Sequence, residues 1–150
     1  MRLHLDSPPG WTARRNGDHL TLEHGAFGTR IVARPLAPKP FDPRAAIEGG
    51  IPAGGRVEYG VVLEPTHTRD GWTMQLATLD VRDAAGARVE TRIAAVYDAS
   101  DHVGVAVAHV PAYALDRDRA IVVEVLTAAR PLLWPDAIVC IAELWRMEPP

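Results

Sequence analysis

A chain of 150 residues is the usual size of one domain and can bury a core without disulfides or a structural metal. With 47% hydrophobic and 23% charged residues spread along its length, it excludes extended disorder, so a single domain spanning 1–150 is expected. A formal net charge of −3 offers no basic field for phosphate backbones or anionic membranes, and nucleic acid is not an expected partner.

The first residues, 2–5, read as a short strand that ends at Pro8-Pro9-Gly10. Asp6 and these prolines stand where a signal peptide needs an apolar run. No stretch reaches the ~20 apolar residues of a membrane span, so a cytoplasmic location without membrane insertion is expected. A second extended segment, 11–15, leads into Asn16-Gly17, a hairpin signal of the type I′ kind, and then into a strand over 19–24 that alternates Leu20 and Leu22 with polar neighbours. The strand over 29–36 carries Ile31 and Val32, and prolines 35, 38 and 40 then oppose further pairing.

Asp42-Pro43 predicts a helix start and Gly49-Gly50 its end. The glycine-rich stretch 49–55 lacks the Gly-Lys-Ser/Thr ending of a phosphate loop and reads as a connector. Four apolar or alternating runs, 57–63, 72–81, 89–97 and 103–110, are joined by short turns and predict an antiparallel meander. From Asp116 the period changes: Ile121, Val122, Val125, Leu126 and Ala129 share one helical stripe, although the β-branched run 121–123 favours strand. Residues 137–145 read as a terminal helix in preference to an added strand. The fold class expected is α+β, a twisted antiparallel sheet of a central four-strand meander plus an N-terminal hairpin, packed with two to three helices.

Chemical signatures are sparse. Neither Ser7 nor Ser100 sits in a nucleophile elbow, and the contiguous Ser100-Asp101-His102 reads as a polar turn, because triads are assembled in space. The six histidines lack metal-ligand spacing, with His19 and His24 on opposite faces of one strand. The single Cys140 lies in an apolar run and reads as a buried structural thiol, while Asp116-Arg117-Asp118-Arg119 reads as a charged first helical turn. No enzyme activity, cofactor or metal site is expected.

The meander does carry a surface pattern. Gly104, Ala106 and Ala108 share one side of the fourth strand, and Gly60, Ala77 and Ala94 or Ala95 add small residues nearby, which suits close approach of the helix over 117–130. The other side then gathers Tyr59, Val61, Trp72, Met74 and Leu76, where a one-sided sheet should be polar. These five are the candidate partner-binding residues, forming an apolar patch of the kind that marks interaction sites.

Pro9-Gly10-Trp11 after the first strand, the proline-rich passage before a short helix, Gly71-Trp72 opening a meander strand, Ala95-Val96-Tyr97 on the next, and the closing helix together resemble the PsbP/DcrB-like α+β fold. The resemblance spans most of the chain but not the segment from Trp134 to Trp145. Within that fold the chain resembles the Eag-type, type VI secretion effector-associated chaperones, which shield apolar transmembrane segments of effectors on a sheet surface. The resemblance implies a non-enzymatic chaperone whose partner is a protein client with apolar or transmembrane segments; the patch itself also suits a homodimer, since an apolar face can be satisfied by a symmetric copy. The alternative is a small-molecule-binding domain or enzyme with a pocket between sheet and helix, using Tyr97, His102 or His109 as polar contacts.

Overall fold

Alternation along the chain is realised as strand almost throughout. The computed structural model describes residues 2–25, 28–68 and 72–132. In chain order these form β1 (Arg2–His4), β2 (Thr12–Asn16), β3 (His19–His24), β4 (Thr29–Ala33), β5 (Ala37–Pro38), α1 (Arg44–Glu48), β6 (Arg56–Val62), β7 (Thr66–His67), β8 (Thr73–Arg82), β9 (Arg88–Ala99) and β10 (His102–Pro111). A 3-10 turn (Ala112–Ala114) leads into α2 (Leu115–Thr127), and β11 (Arg130–Leu132) follows. The proposed 137–145 helix, Cys140, Trp134, Trp145 and the Arg69-Asp70-Gly71 turn lie outside the described residues.

One antiparallel sheet dominates, with strand order β2-β3-β4-β10-β9-β8-β6. The expected meander is the β6-β8-β9-β10 portion, and the N-terminal hairpin β2-β3 joins it through β4, whose Val32 faces Val107 of β10. Two short strands, β5 and β7, pair with β10 and β8, so the proline-rich passage does contribute one brief rung. The hairpin turn differs from expectation. Asn16 pairs with His19, leaving Gly17-Asp18 as the central residues, and Gly17 alone takes positive φ (+62°), the φ signature of a type II′ turn. A separate two-stranded pairing of β1 with β11 ties the beginning of the chain to the segment after α2.

The helical share is smaller than expected: among the described residues the helices are the five-residue α1 and the thirteen-residue α2. At α1, Asp42 Oδ1 accepts from the Arg44 N–H at 3.0 Å, and Pro43 occupies the cap position. The β-branched run in α2 is helical because packing overrides local preference, with Val122, Val125 and Leu126 buried against the sheet.

Each helix covers a different part of the sheet on a different face. Beneath α2 lies the larger core, where Leu22, Ile31, Met74, Ile93, Tyr97 and Val110 meet the helix together with Leu3 from β1. The small residues Ala95, Ala106 and Ala108 lie in this core and let α2 approach, as their pattern predicts. Beneath α1, on the opposite face, Ile47 packs on Leu79, Ala94, Val105 and Val107.

This arrangement corrects the expected patch. Met74 and Leu76 are buried at 2% and 7% exposure in the α2 core, because β8 registers Met74 against Tyr97 and Leu76 against Ala95. They share a face with the small residues instead of opposing them, and Ala77 and Ala94 belong to the α1 side.

Candidate functional site

The sheet ends in two chemically unlike edges. At one end β2 presents Arg14 and Arg15 on a fully exposed strand, the charged composition that discourages further pairing. At the other end is β6, which among the described residues pairs on one side only, with β8. Its first half is also charged: Glu58 accepts from Arg56 and Arg82, and these hydrogen bonds hold its carboxyl below the ordinary range.

A register shift between Tyr59 and Val62 then changes the strand's character. An irregularity of this kind places neighbouring residues where regular alternation would not. Val61, Val62 and the following Leu63 are 56%, 58% and 47% exposed. Tyr59, 47% exposed, leans toward α1, where its hydroxyl donates to Glu48 Oε1 at 2.6 Å; burial first, and that carboxylate second, push its pKa up to about 12.

Beside this edge, on the α2 face, runs a groove of about 420 Å³. It exists because β8 changes its buried parity midway. Met74 and Leu76 sit under α2, whereas Leu79 and Val81 turn to the α1 side and leave Thr78 and Asp80 facing the helix flank. The groove is lined by Val61, Leu63, Ile93, Leu115 and Val123 together with Arg88 and Arg119, with Thr91 Oγ1 donating to Asp80 Oδ1 at 2.9 Å along it.

Of the five candidate residues, the structure brings only Val61 into this groove. Tyr59 lies on the same strand but reaches the other helix, and Trp72 is half-buried just before β8, where its backbone is bracketed by Thr68. Met74 and Leu76 are core. Val62 and Leu63 were missed by alternation, and the signal that could have found them is the unbroken apolar triplet 61–63 at the end of a charged strand.

The alternative set is not convergent. Tyr97 is fully buried, donates to the Leu126 carbonyl at 2.5 Å and has its pKa raised by burial. His102 pairs with Asp101 at 2.8 Å at the β9–β10 turn. His109 lies on the face opposite Tyr97, bonded to Glu90 at 3.0 Å.

A polar cluster also escaped the sequence reading. Asp118, expected in a charged first helical turn, is 2% exposed and accepts from Thr29 Oγ1 at 2.5 Å and from Arg117 at 3.1 Å. His24 approaches it at 3.8 Å and stacks on Trp11 with centroids 5.1 Å apart. No helix among the described residues is long and apolar enough to cross a membrane.

No family model matches the chain, and no curated protein matches its sequence. Among solved structures it is similar to the solution structure of cyanobacterial PsbP (CyanoP) from Synechocystis sp. PCC 6803, with a TM-score of 0.55 and 11% identity over 87% of this chain and 93% of that one. At that identity the likeness establishes a PsbP-like fold.

Proposed function

We propose that this chain is a non-enzymatic protein-binding module that shields an apolar client segment along β6 and the adjoining groove, in the manner of a secretion effector-associated chaperone. The observation that carries the reading is the contrast between the two sheet edges: β2 is blunted by arginines, while β6 ends in the exposed apolar triplet Val61, Val62 and Leu63, beside a groove where Ile93, Leu115 and Val123 are joined by Arg88 and Arg119. An open apolar edge is a liability for a protein that does not use it. A client strand laid along β6 would satisfy backbone groups there, and alternate side chains could enter the groove, the usual division of labour in strand addition. A specific interface of this kind buries ~800 Å² on each partner.

The test is a fluorescein-labelled peptide of transmembrane composition in mild detergent, titrated with the protein and followed by anisotropy. Saturable binding is expected, weakened at least tenfold by Val62→Asp and unchanged by Arg15→Asp on the opposite edge. Equal binding by the wild type and Val62→Asp would overturn the assignment. Light scattering that showed a dimer dispersed by Val62→Asp would reassign the edge to a second copy of the chain.

A further inference from the structure

On the α1 face, away from the β6 groove, a second cleft of about 250 Å³ opens between the end of α1 and the β4–β10 pair. Val32 and Val107 form its apolar floor, Gly49 and Gly50 its rim, and Arg34 and His109 are its polar side chains. The sequence offers no hint of it, since Arg34 and His109 are 75 positions apart and meet only because β4 pairs with β10.

The histidine is held in one orientation. Its Nδ1 lies 3.0 Å from Glu90 Oε1, and the same oxygen accepts from Arg92 Nε at 2.5 Å. Arg92 is itself 2% exposed and donates to the carbonyls of Ile47 and Gly50 at 2.7 and 3.3 Å, so the terminus of α1 and the carboxylate are fixed by one guanidinium. Burial would raise Glu90, but hydrogen bonds from His109 and Arg92 outweigh it and hold the carboxyl below its usual range. An ionised carboxylate can only accept, so Nδ1 carries a proton; in the imidazolium form Nε2 carries one too and is the ring N–H left to donate to a ligand.

The charges around the cleft do not balance. Arg92 and Glu90 neutralise one another, whereas the guanidinium of Arg34 has no hydrogen bond or ion pair among the described residues. Arg30, the cross-strand partner of His109 on β4, adds a further exposed positive charge on the same face. Among the described residues, an arginine without a side-chain partner thus stands beside a partly buried histidine that is held by a carboxylate, and gives this cleft a positive lining. Cationic donors repel a metal ion, and a guanidinium fork matches the paired oxygens of a carboxylate or phosphate.

We propose that this cleft binds a small oxyanion, the phosphate or carboxylate head of a compact metabolite, with Arg34 as its charge partner and the imidazolium form of His109 donating to it from Nε2–H. The volume admits such a head group with a short apolar body against Val32 and Val107. The site is separate from β6 and stands or falls independently of the client-binding reading.

The experiment titrates the intact protein with potassium phosphate and, separately, with sodium acetate, at an ionic strength held constant with sodium chloride. The imidazole carbon–proton resonances of His109 are followed by NMR. A saturable shift with Kd on the order of 1 mM is expected for at least one of the two anions. Arg34→Ala should weaken it at least tenfold, and Arg34→Lys should restore part of the affinity because the charge returns without the fork. Response to phosphate alone assigns a phosphorylated ligand, and response to acetate a carboxylate. The thermal midpoint of the wild type should rise with the binding anion while that of Arg34→Ala, otherwise unchanged, stays flat. A shift that follows chloride equally, fails to saturate, or persists in Arg34→Ala would overturn the proposal.

Discussion

Asp118 shows how much a single side chain can change meaning between sequence and structure. A carboxylate in the first turn of α2 is an ordinary helix-dipole residue, yet this one is buried with Thr29 and Arg117 as hydrogen-bond partners and His24 nearby. Burial would raise its pKa, but those hydrogen bonds, from Arg117 and then Thr29, hold it below the ordinary 3.8. A carboxyl with a depressed folded value stabilises the protein fully above the unfolded value and loses that contribution as pH falls through the folded one. The urea midpoint should therefore fall as pH is lowered below about 4, and Asp118→Asn should flatten that acid limb. Coincident limbs in the two proteins would contradict the assignment. Thr29→Val, which removes a donor from a buried charge, should cost about 1–3 kcal/mol at neutral pH by the same urea measurement.

At the scale of elements, the two faces of the sheet make different demands. Leu126 is fully buried in the α2 core, so Leu126→Ala should destabilise the protein by about 2–5 kcal/mol. Val62→Asp should lie within about 0.5 kcal/mol of wild type, because Val62 is 58% exposed. Chemical denaturation of the pair checks the contrast, and comparable losses would mean that β6 is covered in solution. The same contrast explains what could be read from the sequence. Strand positions, the presence of a hairpin near Asn16-Gly17 and the α2 stripe were legible because each has a local period or turn signal, although the turn itself centres one residue later, on Gly17-Asp18. The facing of Met74 and Leu76 was not, since β8 buries even positions at its start and odd positions at its end. That switch is imposed by two helices lying on opposite faces at different places, which no period within the strand records. The 61–63 triplet was visible but was parsed by alternation, and the register shift at Tyr59 defeats alternation. The Arg34–His109 cleft was illegible for a different reason: it depends on a long-range strand pairing.

For the molecule as a whole, the β1–β11 pairing makes the first residues part of the structure. Leu3 and Leu5 are buried at 0% and 3% in the α2 core, and β1 supplies the strand partner of residues 130–132. Removing residues 2–5 should therefore lower the thermal midpoint by about 10 °C, the scale for several kcal/mol in a domain of this length. A change of under about 2 °C, within the shift of a single kcal/mol, would show that the pairing contributes little. The central joint between β4 and β10 has a consequence for synthesis. β4 is complete at Ala33, but its partner begins at His102, about 70 residues later. At roughly 5–20 residues per second, a ribosome needs several seconds to deliver that partner. Throughout that interval β4 has an open side, and the apolar face it shares with the hairpin waits longer still, because α2, which covers it, is made after β10.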